Sequence, residues 1–182
     1  MTKVSYRLNR LAESATLAMA RMSRELKAKG HEVIALSLGE PDFDTPDSIK
    51  DAGKKAIDDN FSHYTPVPGL PELTNAIVTK FKRDNNLEYT SDQIVTSTGA
   101  KQSLANVCLS LLNPGDEVLL PCPYWVSYAE IIKLAGGVPI LIEGTLGNNF
   151  KATAAQLEDA LTDKTKAVIY SSPCNPTGSV FS

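Results

Sequence analysis

Histidine occurs twice, cysteine three times and tryptophan once in 182 residues. Cys108, Cys122 and Cys174 are odd in number and far apart, so they match neither a disulfide framework nor a CxxC metal pair. With only His31 and His63 beside them, a histidine-rich metal site is not indicated. No apolar run approaches the ~20 residues that cross a bilayer. The N-terminal stretch MTKVSYRLNRLAESATLAM has no unbroken apolar segment before a small-residue cleavage site, which argues against a secretory signal and for the cytoplasm. Basic residues show no excess: 18 Lys and Arg stand against 21 Asp and Glu, for a net charge of -3, so no nucleic-acid partner is expected. What is present is globular in character. The chain is 42% hydrophobic and 21% charged, with 11 Gly and 11 Pro, which excludes a disordered, collagen-like or fibrous protein. Its length fits one domain, or one and part of another.

The pattern along the chain predicts helices first and then a regular alternation. Ser14 caps a helix running to Gly30, with Ala15, Met19, Met22 and Leu26 on one face. Thr45 and Pro46 stand as N-cap and first residue of the next helix, ending near Asn60. Residues 61–70 hold prolines at a spacing that forbids helix, and a helix from Pro71 to about Asp84 follows. Strands are expected at 93–97, 117–120, 138–142 and 166–170. Helices are expected at 99–112 (Ala100, Leu104, Cys108 and Leu111 inward), 125–135 and 153–161, the last with a Thr-x-x-Gln capping box at Thr153 and Gln156. Strands joined by helical crossovers make an α/β fold with a mostly parallel sheet covered by helices.

Ligands of such sheets bind beyond the carboxyl ends of the strands, and three of those ends carry informative residues. Gly99, Ala100 and Lys101 open a helix after a strand, where free N–H groups and the helix dipole favour an anion. The same residues would also suit an ordinary strand–helix turn. Trp125, at another helix start, could cover a flat heteroaromatic ring or could be a core aromatic. Asn175, between prolines in Pro173-Cys174-Asn175-Pro176-Thr177-Gly178, can donate and accept hydrogen bonds, or the segment is a plain turn. Together they suit a flat ring bearing a phosphate and a hydroxyl.

Five segments resemble the aspartate-type aminotransferases of class I: GEPDFDTP at 39–46, YTPVPGLPELTNAI at 64–77, VTSTGAKQSL at 95–104, NPGDEVLLPCPYWVSY at 113–128 and SSPCNPTG at 171–178. The resemblance runs from about residue 4 to the end and is most similar to the bacterial Ib type. It implies a fold type I large domain, a three-layer αβα arrangement with a mostly parallel sheet that here stops after its fourth strand. It implies pyridoxal 5'-phosphate as cofactor, amino acids and 2-oxo acids as substrates, and a homodimer with shared sites. Residues 1–44 would be an N-terminal arm and part of a small domain, and 45–182 the first portion of the cofactor-binding large domain. Backbone N–H groups of Gly99, Ala100 and Lys101 would hold the phosphate, Trp125 would stack on the ring, and Asn175 would meet its phenolic oxygen and help orient the substrate. Gly39 would contact the substrate carboxylate, and Tyr64 would reach the phosphate in the neighbouring subunit.

The resemblance also implies that the Schiff-base lysine, the aspartate facing the pyridine nitrogen and the carboxylate-clamping arginine lie beyond Ser182. The chain alone is therefore expected to be inactive. In the sheet, 117–120 is expected between 138–142 and 166–170, with 93–97 left without its partner and apolar faces exposed. Ala12-Glu13 replaces the Lys-Pro that members accepting prephenate often carry, which weakens a prephenate assignment. Other readings are a β-lyase or another aminotransferase on the same fold, a non-catalytic truncated product, and a nucleotide-binding protein. The last is disfavoured by the missing GxGxxG.

Overall fold

The computed structural model describes residues 4–36 and 38–181. Elements follow in the order α1 (Tyr6–Asn9), α2 (Ala15–Ala28), α3 (Asp47–Asp58), α4 (Pro71–Asn85), α5 (Ala100–Leu111), β1 (Glu117–Cys122), α6 (Ser127–Leu134), β2 (Val138–Glu143), α7 (Ala154–Asp159) and β3 (Thr165–Val168). They fall into two compact units. One comprises the described residues up to Leu38 and from Gly99 onward; the other is Gly39–Thr98. Among the described residues no helix is long and apolar enough to cross a membrane.

The first unit holds a three-stranded parallel sheet in the order β2-β1-β3, the order the family resemblance implied. Val118, Leu119 and Leu120 of β1 are wholly buried, and Cys108, Leu112, Ala129, Ile131 and Ile132 complete the core around Val118 and Leu120. Two prolines sit where missing N–H groups do no harm. Pro139 is on β2, which has a single ladder neighbour. Pro121 is on the central strand, but the residues of β1 alternate sides: Glu117 N–H and Leu119 C=O bond toward β3, whereas Asp116 and Cys122 carbonyls bond toward β2. Pro121 therefore faces β3, and the β1–β3 pairing has already ended at Leu119 and Val168. A proline in mid-sheet is tolerated only where no ladder bond is needed. Here it coincides with the point where the two strands part.

Helix ends follow local chemistry. Ser14 Oγ accepts from Leu17 N–H, and Thr153 with Gln156 forms the anticipated capping box. Thr45 is not the N-cap of α3. Pro46 takes that position, and the helix begins at Asp47, whose charge favours the helix N-terminus.

The expected strand at 93–97 is not a strand. A 3-10 turn spans Ser91–Gln93, capped by Thr90, and Thr96 N–H and Oγ1 both donate to Pro68 carbonyl, at 2.9 and 3.0 Å. Extended backbone becomes a strand only with a ladder neighbour, and this segment pairs with a loop carbonyl instead. The sheet thus has three strands, not four. The apolar stripe of α2 lies on one face as expected, yet Met19, Met22 and Leu26 are exposed and form an open groove with Val33, Ile34 and Leu36. On α5, Cys108 is buried but Ala100 and Leu111 are exposed, with Leu112 taking the core position. A second apolar groove of about 290 Å³ runs between α5 and the free side of β3, past Leu104, Leu111 and Val168.

Gly144, just after β2, offers a test of this packing. A Cβ there would stand 2.5 Å from both the Cys122 and the Phe150 carbonyl oxygens. Backbone atoms cannot swing aside, so Gly144→Ala is expected to lower stability by about 1–3 kcal/mol, measured by urea denaturation.

Candidate functional site

The site is assembled at the carboxyl edge of the sheet, from the start of α5 and the loops leaving β1 and β3. Gly99 caps α5 with φ 84° and ψ 158°, a conformation that glycine adopts without strain. No heavy atom lies within 4 Å of where a Cβ would be, so the space beside this residue is open. The first α5 carbonyl contacts run from Gln102 and Ser103 N–H back to Gly99. The N–H groups of Gly99, Ala100 and Lys101 come before that point and have no intrahelical acceptor.

Lys101 joins this helix end to the loop after β1. Its ammonium lies 4.8 Å from the centroid of the Trp125 ring, a cation–π contact. Trp125 is half-buried, and Tyr128 meets it edge-on at 5.4 Å and 84°. The loop after β3 is tied to the same place: Cys174 Sγ donates to Pro123 carbonyl at 3.4 Å. That loop is internally braced by Cys174 N–H to Ser179 carbonyl, Gly178 N–H to Cys174 carbonyl and Asn175 N–H to Ser171 Oγ, at 2.8, 2.7 and 3.2 Å. Ser179 Oγ in turn donates to Asn149 carbonyl. Asn175 is exposed at the tip.

Two hollows adjoin these loops. A crevice of about 10 Å³, room for one water, opens where β1 and β3 part and is bordered by Pro121, Tyr124, Tyr170 and Cys174. A half-open cavity of about 210 Å³ is lined by Lys101, Val126 and residues of the N-terminal segment. Their walls are formed by the chain neighbours of Trp125 and Asn175 rather than by those two residues. Gly39 and Tyr64 belong to the other compact unit, where Gly39 has open space around it and Tyr64 is fully exposed.

Electrostatics around the site favour neutral thiols and phenol. Burial pushes the Cys108 thiol up, and burial with the nearby Glu143 charge does the same to Cys122. Burial also raises the Tyr124 phenol, with Cys122 and Glu130 adding to the effect and Lys133 opposing it. Among the described residues no cluster of His, Cys, Asp and Glu could hold a metal ion. Sequence reasoning passed over Glu130. Its spacing from Lys133 marks a helix-surface pair, but its contact with Ala12 leaves no local signature.

Residues 31–182 match the family described as aminotransferase class I and II. The chain belongs to this family. It is 53% identical over 174 residues to a probable aspartate/prephenate aminotransferase of Rhizobium leguminosarum bv. phaseoli, covering 96% of the chain and 44% of that protein. It is 53% identical over 175 residues to an aspartate aminotransferase of Bacillus sp. (strain YM-2), covering 96% and 45%. The structure superposes on the aspartate aminotransferase of Rhizobium meliloti with a TM-score of 0.96 and 41% identity, over 100% of this chain and 46% of that one. The Thermus thermophilus aspartate aminotransferase with maleate gives 0.95 and 40%, over 100% and 48%. The chain thus spans about half the length of the aminotransferases it matches.

Thiol labelling checks the placement of the loop after β3. Only the thiolate reacts, and burial that raises Cys108 and Cys122 lowers their thiolate fraction at any given pH. Cys174 is partly exposed. A disulfide reagent on the native chain at pH 8 is expected to modify Cys174 first, with Cys108 and Cys122 reacting only on denaturation.

Proposed function

We propose that this chain supplies the coenzyme-gripping part of an aminotransferase that exchanges the amino group of aspartate with 2-oxoglutarate. The contact of Lys101 with Trp125 carries this reading, because it unites an anion-binding helix end with an aromatic face. Three features fit pyridoxal 5'-phosphate. The space beside Gly99 is open, the N–H groups of Gly99, Ala100 and Lys101 lack intrahelical acceptors, and the Trp125 face already attracts a positive charge. When bound, the coenzyme supplies the electron sink that makes an amino acid's Cα–H acidic.

The chain's own residues would bind and orient. Backbone N–H groups at 99–101 donate to phosphate oxygens, where charge-assisted bonds are short and strong. Trp125 covers the ring and keeps water from one face, and Asn175 donates to the ring oxygen. Gly39 offers its backbone to the substrate carboxylate. Tyr64, fully exposed here, would serve the phosphate of a second copy in a homodimer. Residues 1–44 are assigned to the arm and part of a small domain, and 45–182 to the start of the large domain of a cytoplasmic enzyme. The proton-transferring lysine, the aspartate and the arginine are expected in the part of the relatives that this chain does not span. That part would also cover the free side of β3.

Aspartate is favoured over prephenate by residues 12 and 13. Relatives with either name match equally well, at 53% identity. Here, however, Ala12 offers no cation, and Glu13 is held by Arg21 at 2.7 Å. Maleate, the ligand of the Thermus thermophilus protein, is a four-carbon dicarboxylate like aspartate.

Trp125 is the only tryptophan, so its fluorescence reports binding directly. Pyridoxal phosphate is expected to quench it and to slow modification of Cys174. Pyridoxal without the phosphate is expected to bind at least about tenfold more weakly, since hydrogen bonds to a charged group contribute about 1.5–3 kcal/mol. Equal affinity for the two would remove the phosphate cradle.

The chain incubated with coenzyme, aspartate and 2-oxoglutarate is expected to show no turnover above the enzyme-free background. Enzyme-like rates would show that the residues assumed to lie elsewhere are not needed.

A further inference from the structure

We propose that Glu130 is a positioning residue whose two carboxylate oxygens clamp the segment between α1 and α2 onto α6, fixing one wall of the cavity beside Lys101. Oε2 accepts from the Ala12 N–H at 2.9 Å, across 118 positions of sequence. Oε1 accepts from Lys133 Nζ at 2.8 Å, one turn further along α6. The Glu130 and Lys133 side chains are only 27% and 32% exposed, so this pair is screened less than the ion pairs on the outer faces of the helices.

Ala12 is a telling place for such a contact. Leu11 N–H closes the end of α1 on Leu8 carbonyl, and Ser14 caps the start of α2. Ala12 and Glu13 between them form the joint of two helices, and the Ala12 N–H is the group that Glu130 holds. Glu13 does not share the task, because its carboxylate is turned to Arg21 on α2. The clamped segment then supplies Leu11, Ala12 and Ser14 to the cavity of about 210 Å³, with Lys101, Val126 and Ile131 among the residues opposite. The width of that opening, next to the ammonium that rests on Trp125, is set by the clamp.

The two-oxygen requirement makes the idea testable. A carboxylate serves two donors at once, whereas an amide has a single acceptor oxygen and turns an NH₂ toward the second donor. Glu130→Gln must release either Ala12 or Lys133, and Glu130→Leu releases both. Burial pushes the Glu130 carboxyl up, but the bonds from Lys133 and from Ala12, with the Lys133 charge, outweigh it and hold the group below its ordinary range.

The test is hydrogen exchange of the Ala12 amide in the full chain, with the Leu120 amide of β1 as internal control, alongside tryptic cleavage after Arg10. Neither readout involves coenzyme or activity, so the outcome is independent of the proposed function. Glu130→Leu is expected to speed Ala12 exchange at least about tenfold, the factor that corresponds to losing one hydrogen bond to a charged group, while Leu120 stays protected. Glu130→Gln is expected to speed it several-fold. Lys133→Met, which leaves Oε2 on Ala12, is expected to have the smallest effect. Cleavage after Arg10 should rise in the same order. Ala12 exchange within twofold of the unaltered chain in both Glu130 variants, with Leu120 protected, overturns the proposal. If Glu130→Leu loses protection at Leu120, Glu130→Ala, which also removes both acceptors, decides by the same criterion: Ala12 exchange at least about tenfold faster with Leu120 protected supports the clamp, and exchange within twofold overturns it.

Discussion

The parting of β1 and β3 after Leu119 and Val168 is the constraint on which the rest of the first unit depends. Up to that point β1 is paired on both sides and buried on both faces, the environment in which an apolar run is held rigidly. Two residues later Pro121 has no N–H to give to β3, so the ladder could not continue there whatever its neighbour did. The backbones separate, and each runs into a proline-containing loop: Pro123 to Trp125 on one side, Ser171 to Gly178 on the other. The bond from Cys174 to Pro123 then spans the gap just beyond the last ladder pair. Rigid strands end abruptly, and the side chains that follow share one edge without being part of the sheet. Binding residues on loops over a fixed scaffold need this combination.

The start of α5 reaches the same edge for a topological reason. The helix leads through a short turn into the start of β1, so its C-terminus stands by the amino end of that strand and its N-terminus runs back toward the carboxyl edge. Lys101 is then close enough to lie on Trp125. The contact brings two of the three groups of interest together through side chains, and the Cys174 bond attaches the third through the backbone of Pro123. The indole is further fixed by Tyr128, from the next turn of chain. Each of these links is modest in energy. Their value lies in restricting where the Trp125 ring and the Asn175 loop can stand.

Much of this was legible in the sequence, and the parts that were not share a physical cause. The caps at Ser14 and Thr153 were readable because a cap is a contact over three residues, and Thr-x-x-Gln states both partners. The central place of β1 was readable through the family resemblance. Gln93 to Ser97 has strand composition but forms no strand: the resemblance implied that its partner would be missing, and composition cannot supply one. The faces of α2 and α5 were assigned correctly as stripes, but of the α5 residues expected inward Ala100 and Leu111 are exposed, since periodicity names a face without naming what covers it. Local patterns mark Gly99, the N-cap of α5, and Trp125, just ahead of α6. Glu130 had no such mark, because its partner Ala12 stands 118 residues away.

The position of Glu130 on α6 gives that long-range contact its weight. Trp125 lies two residues ahead of α6, Glu130 stands midway along it and Lys133 in its last turn, so one short stretch of chain joins the aromatic face to the grip on the N-terminal segment. Ala129, Ile131 and Ile132 anchor that helix in the core against β1. A helix seated so firmly cannot shift at one end and remain still at the other over eight residues. The position of Ala12 and the position of the Trp125 ring are therefore set by the same rigid body. What holds the segment before α2 also bears on how it stands relative to Lys101 across the cavity that both line.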